Sequence, residues 1–230
     1  MILLIIKFIA VVIIGYLLGS IPFGVLLTRR FAKVDVRDYG SGNIGGTNVL
    51  RVAGKKVAAL SASLDVLKGA LPVVFAGLLI GRSYLVINGF GLGLLVAQCL
   101  AALAAMAGHN WSVFLKFKGG KGVATFFGGL IALCPVVALF GGEIFAIGAG
   151  LTRFASLGSI AGVVGTYTIL IPLTILNGFP LEYLVYTLIG TIIIIIMHRG
   201  NIARLIAGKE LKIGEKAQRI SRAPSKVGKE

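Results

Sequence analysis

The chain has 230 residues, of which only 13% are charged, and a formal net charge of +15. Its mean hydropathy of +0.97 is too high for a soluble domain of this length. The composition therefore excludes a soluble globular protein. It predicts an all-α polytopic integral membrane protein, because helices satisfy their own backbone hydrogen bonds in lipid.

The positive charge is concentrated in three stretches between or after the apolar segments. These stretches are residues 29–56, 116–121 and 199–229. The connectors expected on the opposite side of the membrane, near residues 82–89 and 177–183, contain only Arg82 and Glu182 as charged residues. This asymmetry is typical of basic cytoplasmic loops in a membrane protein, so we expect no nucleic-acid partner.

The apolar segments, in chain order, lie near residues 2–27, 57–81, 85–107, 123–151, 154–176 and 181–198. No basic region precedes the first segment, so we do not expect a cleaved signal peptide. If each segment crossed the membrane once, with the N-terminus outside, the basic residues from Arg199 onward would also lie outside. That arrangement contradicts the charge asymmetry.

Segment 123–151 is therefore expected to enter and leave the membrane on the cytoplasmic side. Pro135 lies near its middle and lacks an amide donor, so it can divide the segment into two helices of about 12–15 residues, each too short to span. This re-entrant hairpin gives about seven transmembrane or half-membrane helices, with the C-terminus in the cytoplasm. The alternative is one tilted span that is kinked at the proline.

The stretch "DYGSGNIGGTNVLR", residues 38–51, contains the glycine spacing of a dinucleotide-binding fingerprint. That fingerprint requires a preceding strand, whereas here a membrane helix comes first. The glycines instead predict a loop whose backbone amides bind an anion. Arg51 adds a guanidinium that matches phosphate oxygens. A flexible glycine loop is the alternative, but it does not explain the density of polar side chains.

A second glycine-rich stretch, "FKGGKGVAT", precedes a helix predicted to start near Val123. Lys121 and the amides at a helix N-terminus together predict a phosphate site. Gly122 follows the lysine where a nucleotide-triphosphate loop requires serine or threonine, so we expect a phosphate site of another kind. Lys116 and Lys118 are assigned to anionic lipid headgroups.

The third polar stretch, "HRGNIARLIAGKE", covers residues 198–210. His198, Asn201 and Arg204 are spaced three residues apart, which places them near one face of a helix. The alternative for Arg204 is a general role as one more cytoplasmic basic residue.

Few other ionisable residues lie in the apolar segments. Asp65 and Lys68 are expected to neutralise each other and to fix helix packing near the site. His109, like His198, lies at a helix–loop border, where an orienting role is more common than that of a general base. We find no metal-binding histidine motif and no cluster of loop carboxylates, so we expect no metal ion.

The three polar stretches, together with "LGSIPFG" and "LDVLKG", resemble the bacterial acyl-phosphate:glycerol-3-phosphate acyltransferases, the PlsY family. The resemblance runs from about residue 19 to residue 210. Gly46 and Ser112 stand where many members have alanine and proline. We therefore expect a single transmembrane acyltransferase domain over residues 1–210 and a solvated basic cytoplasmic tail over residues 211–230.

The resemblance implies transfer of a fatty acyl group from acyl-phosphate to the 1-hydroxyl of glycerol 3-phosphate. The products are 1-acyl-glycerol 3-phosphate (lysophosphatidic acid) and phosphate, and the reaction is the first acylation of bacterial phospholipid synthesis. The implied partners are both substrates, membrane lipids and the enzyme that produces acyl-phosphate, with no cofactor. The implied location is the bacterial cytoplasmic (inner) membrane.

Two groups of candidate site residues follow from the residue types and the resemblance. The candidate catalytic residues are Ser41, Asn43, Thr47 and His109. The candidate substrate-binding residues are Gly40, Gly42, Gly45, Asn48, Arg51, Gly119, Gly120, Lys121, Ser156, His198, Asn201 and Arg204.

The sequence shows no serine–histidine–aspartate set, and neither histidine has an aspartate at the H-x4-D spacing of soluble acyltransferases. We therefore expect substrate assistance, in which a bound phosphate oxygen accepts the hydroxyl proton while loop donors stabilise the oxyanion. His109 as general base is the alternative.

A metabolite transporter and a non-catalytic lipid-binding protein are the competing classes. Transporters usually have repeated halves and a site at the membrane midplane, whereas the polar stretches here lie at one edge.

Overall fold

The computed structural model describes residues 1–87, 90–176 and 178–220, so residues 221–230 of the predicted tail lie outside the described residues. The helices are α1 (Ile2–Ser20), α2 (Phe23–Leu27), α3 (Gly46–Ile80), α4 (Leu94–Asn110), α5 (Val123–Leu133), α6 (Pro135–Thr152), α7 (Ala155–Ile175), α8 (Leu181–Met197) and α9 (Arg199–Ile206). A π-helical turn (Thr28–Ala32) and two 3₁₀ turns (Val36–Asp38 and Val113–Leu115) lie between them.

The predicted all-α polytopic membrane architecture is confirmed. Five segments of the described chain are long and apolar enough to cross a membrane: 2–32, 46–80, 94–115, 135–152 and 155–175. Helices α8 and α9 meet at an angle of 57° and add a sixth span if they are counted together. Length and hydropathy therefore do not confirm the predicted count of seven. Leu78 and Leu151 are 82% and 83% exposed, as suits side chains that face lipid.

Two short strands, β1 (Leu85–Ile87) and β2 (Phe90–Leu92), pair in antiparallel register, with Val86 opposite Gly91. Both strands fall at the start of the predicted apolar segment 85–107, and β1 also overlaps the connector predicted near residues 82–89. A strand of three residues is too short for a pattern of alternating apolar and polar residues to distinguish it from an irregular loop.

Small residues allow the helices that carry the site to approach closely. Gly19 of α1 packs so tightly on Ala105 of α4 that an added Cβ atom would overlap its backbone. Gly69 of α3 lies against the carbonyl group of Thr125 in α5 in the same way. Such contacts are typical of membrane helices, whose association depends on close packing more than on hydrophobic burial.

Helices α5 and α6 fold back on each other, as the predicted hairpin requires. The chain breaks at Cys134, whose backbone is non-helical (φ −148°, ψ 84°). The ring of Phe127 in α5 then lies against Gly141 in α6. The halves have 11 and 18 residues, because Pro135 begins α6 at its first turn, where a missing N–H costs nothing. The prediction that both halves are too short to span is therefore wrong for α6, which is long and apolar enough to cross a membrane.

Helix α3 begins 11 residues earlier than the predicted apolar segment and is interrupted at Gly54, whose backbone has φ 79° and ψ 179°. Side chains disfavour this conformation, so glycine marks the kink. The helical turns before Gly54 carry the polar residues of the loop stretch, and those after it cross the apolar core.

Candidate functional site

A cavity of about 430 Å³ lies where the three polar stretches meet. Its polar lining includes Ser41, Asn43, Thr47, Asn48, Arg51, Asp65, His109, Lys121, Ser156, Ser159, His198, Asn201, Arg204 and Glu210. Its apolar lining includes Ala62, Val66, Val123, Ala124, Phe127, Ile131, Ala138, Phe145 and Leu211. The predicted catalytic residues and most predicted binding residues therefore share one site, with a charged end and an apolar arm.

Asn48 organises the glycine-rich loop from the inside. Its side-chain amide donates to the carbonyl oxygens of Val36, Tyr39 and Asn43 at 3.0, 3.0 and 2.9 Å. Its Oδ1 atom accepts a hydrogen bond from the Ser41 amide at 3.1 Å. The side chain was predicted to bind substrate, but these bonds occupy both ends of its amide. Its role in the structure is to fix the loop.

Gly40 and Gly42 adopt left-handed conformations with φ values of 59° and 69°, which explains why glycine occurs there. Neither residue lines the cavity, and their amides are occupied. Gly40 N donates to Gln218 O at 2.9 Å, and Gly42 N donates to Tyr39 O at 3.0 Å. The prediction that these two glycines contact a substrate is corrected: they shape the loop that presents its neighbours.

The first turn of α3 faces the cavity. Gly45 precedes the helix, and its amide donates to Asn43 Oδ1 at 3.0 Å. Gly46 and Thr47 line the cavity at the helix start, where backbone N–H groups have no acceptor within the helix. Their amides and the Thr47 hydroxyl, rather than the amides of Gly40 and Gly42, are the donors that the loop offers to an anion.

The second glycine-rich stretch supports the site through Lys121. The amides of Gly119 and Gly120 donate to the carbonyl oxygens of Asn110 and His109 at 3.0 and 2.9 Å. A Cβ atom added at Gly120 would collide with His109 Nε2. Because both glycines cap the end of α4 outside the cavity lining, the prediction that they bind substrate is also corrected.

Lys121 joins the second and third stretches. Its Nζ atom donates to Asn201 Oδ1 at 2.6 Å. Burial lowers the pKa of Lys121 to about 8, although the nearby Glu210 carboxylate opposes this shift. The ammonium group is therefore poorly solvated and close to titration, which favours an anionic ligand.

Glu210 connects three of the predicted binding residues. Its Oε1 atom accepts hydrogen bonds from Asn201 Nδ2 at 2.6 Å and Ser156 Oγ at 2.9 Å. Its Oε2 atom pairs with Arg204 Nε at 2.8 Å. Burial alone would raise the pKa of Glu210, but these hydrogen bonds and the ion pair outweigh it and lower the pKa. A deprotonated carboxylate thus fixes the amide, hydroxyl and guanidinium around it.

His198 presents one defined tautomer to the cavity. Its Nδ1 atom lies 2.8 Å from the carbonyl oxygen of Ile194, in the preceding turn of α8. A carbonyl oxygen only accepts, so Nδ1 carries a proton and the Nε2 atom of the neutral ring is an acceptor.

His109 is enclosed at the back of the cavity and is only 4% exposed. Its Nδ1 atom lies 3.6 Å from Asp65 Oδ1, which is too long for a hydrogen bond. Asp65 forms a 2.8 Å ion pair with Lys68, and Lys68 also donates to the Ile21 carbonyl oxygen at 2.7 Å. The predicted pair is present and ties α3 to the chain after α1.

The apolar arm runs between α3 and the α5–α6 hairpin. It is lined by Ala62 and Val66 of α3, Phe127 and Ile131 of α5, and Ala138, Gly142 and Phe145 of α6. Ile131 is 46% exposed, so the arm reaches the outer surface of the bundle. An apolar chain can lie in this arm while a polar head remains among the charged groups.

Among residues 1–87, 90–176 and 178–220, no three histidine, cysteine or acidic side chains come together in a group that could hold a metal ion.

A family model described as glycerol-3-phosphate acyltransferase matches residues 9–208. The chain belongs to the glycerol-3-phosphate acyltransferase family. Within this family it is similar to glycerol-3-phosphate acyltransferase 3 of Dehalococcoides mccartyi (strain CBDB1), with 62% identity over 94% of this chain and 100% of the relative. The glycerol-3-phosphate acyltransferase of Rubrobacter xylanophilus is 44% identical over 88% of this chain and 94% of the relative.

The fold also matches a solved member of the family. The crystal structure of PlsY, an integral membrane glycerol 3-phosphate acyltransferase, in its glycerol 3-phosphate form aligns with a TM-score of 0.77 and 38% identity, over 90% of this chain and 96% of that one. Its lysophosphatidic acid form aligns with a TM-score of 0.75 and 36% identity, over 90% and 95% of the chains. The predicted family and enzyme class are confirmed, and the transporter and lipid-binding classes are set aside.

Three residues of the candidate site were missed from sequence: Glu210, Asp65 and Ser159. Glu210 was read only as the end of a stretch, because it lies four residues after α9 and nothing in the spacing showed that it turns back. Asp65 was assigned to packing, although it also lines the cavity. Ser159 also lines the cavity and was not predicted. Its position one turn after Ser156 on α7 was the signal that could have indicated a polar helix face.

Proposed function

We propose that the protein transfers a fatty acyl group from acyl-phosphate to the 1-hydroxyl of glycerol 3-phosphate, releasing lysophosphatidic acid and phosphate. One observation carries this proposal. The same cavity brings Arg51, Lys121 and Arg204 to one end and opens as an apolar arm at the other. Two phosphate groups and one acyl chain require this combination of charge and apolar surface.

The cationic side chains form two neighbouring groups. Arg51, in the first turns of α3, bonds to the carbonyl oxygen of Leu211, whereas Lys121 and Arg204 are linked through Asn201 and Glu210, the residue before Leu211. We propose that each group holds one substrate phosphate, since two anions repel each other unless separate cations neutralise them. The acyl chain would extend from its phosphate into the arm lined by Phe127.

In the proposed reaction, the glycerol hydroxyl oxygen attacks the acyl carbon, and the bond between that carbon and the phosphate oxygen breaks. The hydroxyl proton passes to a phosphate oxygen, and the departing phosphate keeps the bridging oxygen. Ser41, Thr47 and the amides at the start of α3 would stabilise the oxyanion. His198 Nε2, as an acceptor, would orient a glycerol hydroxyl.

His109 is the rival base. Its enclosure behind Gly120 and the 3.6 Å separation from Asp65 favour a structural role over proton transfer. Replacing His109 with alanine should therefore lower activity through packing. If the variant keeps its fold and both substrate affinities yet loses all turnover, His109 is the base and substrate assistance is wrong.

The direct test uses purified protein with palmitoyl-phosphate and glycerol 3-phosphate, and follows lysophosphatidic acid and phosphate together. Palmitoyl-coenzyme A is the matched control donor. Equal amounts of both products from the acyl-phosphate, with none from the thioester, would support the proposed donor. Activity with the thioester alone would retain the acyltransferase and reject acyl-phosphate.

We also propose that the cavity opens to the cytoplasm of a bacterium at its inner membrane. The three basic stretches converge on this cavity, so they lie at one end of the bundle. Basic loops favour the cytoplasmic side.

A further inference from the structure

The segment from Leu211 to Ile220, here called the strap, is largely exposed, as predicted for the start of the tail, but its backbone is bonded to the rest of the chain. It runs antiparallel to residues 38–40 of the glycine-rich loop. Gly40 N donates to Gln218 O at 2.9 Å, and Ile220 N donates to Asp38 O at 2.9 Å. Between them, Tyr39 pairs with Arg219 as an isolated antiparallel bridge.

The beginning of the strap holds Arg51. The Nη2 atom of Arg51 donates to the carbonyl oxygens of Leu211 and Lys212 at 3.1 and 3.2 Å. Ile213 N donates to Arg153 O at 2.7 Å, which fixes this part of the strap to the end of α6. The guanidinium is therefore attached to a backbone that is itself anchored.

One hydrogen-bond donor of Arg51 has no acceptor in the described residues. Its Nε atom is buried and has no hydrogen-bond partner in the described part of the chain. A buried N–H without an acceptor is unfavourable, and a phosphate oxygen would satisfy it. The strap thus orients the side chain while leaving a donor for a ligand in the cavity that Arg51 lines.

The strap also closes the outer side of the glycine-rich loop. A Cβ atom on Gly42 would lie 3.3 Å from Ile220 Cδ1, and one on Gly40 would lie 3.3 Å from Ala217 Cβ. Asn48 holds the loop from within, so the two left-handed glycines are fixed between Asn48 and the strap.

We propose that the strap is a positioning element that sets Arg51 and the glycine-rich loop for a substrate phosphate. The proposal rests on the proposed function, in which Arg51 binds phosphate. The strap lies beyond residue 208, where the match to the family model ends. Ile220 and Ala217 are its positioning residues, and they act through the loop.

The test compares Ile220→Pro with Ile220→Val in the full chain. Proline removes the N–H that bonds to Asp38 O, whereas valine keeps that N–H and a branched side chain. Loss of one such hydrogen bond should raise the KM of one phosphate substrate about three- to tenfold, with kcat within about twofold. Valine lacks the Cδ1 methyl group beside Gly42, so the valine variant should raise the same KM by less than about twofold, well below the effect of proline. Unchanged KM values for both substrates in a folded proline variant would overturn the proposal.

A second variant decides the matter if the proline variant does not fold. Ile220→Ala keeps the backbone N–H and removes the side chain from Gly42, so it should raise the same KM by a smaller factor. An alanine variant with wild-type KM values would then overturn the proposal.

A double-mutant cycle distinguishes positioning from general stabilisation. In an Arg51→Lys background, Ile213→Pro, which removes the N–H that anchors the Arg51-binding end of the strap to Arg153 O, should add less loss than it causes in the wild type, because this end of the strap acts through Arg51. Full additivity would overturn the positioning role. A wild-type protein that releases no phosphate from acyl-phosphate would instead contradict the proposed function, so the two failures are distinguishable.

Discussion

Lys121 and Asn201 are joined by a 2.6 Å hydrogen bond from Nζ to Oδ1, although they are 80 residues apart in the chain. Asn201 passes the link to the Glu210 carboxylate, which also pairs with Arg204. The second and third polar stretches therefore form one unit. A substitution at Asn201 or Glu210 should therefore change how Lys121 and Arg204 are held.

The first prediction concerns pH. Burial lowers the pKa of Lys121 to about 8, below its ordinary value of 10.5, so the ammonium loses its proton as the pH rises through about 8. A phosphate monoester has a second pKa of about 6 and is therefore already dianionic at pH 8. The KM of the substrate bound by Lys121 should therefore rise above pH 8.

The Lys121→Arg variant is the control for this effect, because arginine stays charged throughout the accessible range. Its KM should be higher than that of the wild type but nearly constant between pH 7 and about 9.5. The assignment to Lys121 is wrong if both proteins show the same rise in KM.

The second prediction concerns Arg51. Replacing it with lysine keeps the charge but removes the planar guanidinium. A single ammonium group cannot replace both the Nη2 atom, which bonds to the strap, and the Nε atom, which is left for the ligand. Loss of a charge-assisted contact should lower kcat/KM about ten- to a hundredfold. Arg30→Lys, at an exposed arginine over the Phe31 ring, is the matched control and should change kcat/KM less than about twofold. Equal, mild losses in both variants would assign the loop a linker role.

The third prediction concerns the apolar arm. A Cβ atom on Gly142 meets nothing within 4 Å, and this residue lines the cavity, so leucine there should fill the arm. Gly142→Leu should lower kcat/KM for palmitoyl-phosphate about tenfold or more, because its side chain would occupy the space of the longer acyl chain, and should spare octanoyl-phosphate. Gly150 lies on the same helix with similarly open space and is outside the cavity lining, so Gly150→Leu is the control. An equal loss for both acyl chains would place the acyl group elsewhere.

Much of the fold could be predicted because its signals are local. Pro135 indicated the break between α5 and α6, and the apolar runs indicated the long helices. Gly54 was not read as an interruption, since one glycine in a helical pattern is usually tolerated. The chain breaks at Cys134 because Pro135 begins α6, and α6 is therefore longer than the predicted half-length helix.

The site was less predictable, because its bonding is decided by tertiary contacts. The glycine spacing indicated an anion-binding loop, yet the amides of Gly40 and Gly120 are used to bind other parts of the chain. Asn48 is a donor, as expected, but to three carbonyl groups of its own loop. The strap carries no motif, and only the fold shows that its backbone meets Arg51.

The fourth prediction concerns topology. In a variant without Cys99 and Cys134, cysteine at position 152 or 216 should react with an impermeant maleimide only from the cytoplasmic side. Cysteine at position 82, in the connector before β1, should react only from outside. The reason is that the start of α5 lines the basic cavity and that Arg153, directly after α6, accepts a hydrogen bond from Ile213 in the strap. Labelling of position 152 from outside would contradict a hairpin that returns to the cytoplasm.

The most direct test of the central claim, acyl transfer from acyl-phosphate within this cavity, is an oxygen-tracing experiment. Palmitoyl-phosphate is prepared with ¹⁸O at the oxygen between the acyl carbon and phosphorus, and is turned over with glycerol 3-phosphate. Attack at the acyl carbon should deliver the label to the released phosphate and leave the new ester unlabelled. Label in free palmitate, with phosphate transferred to glycerol 3-phosphate, would show attack at phosphorus and contradict the account.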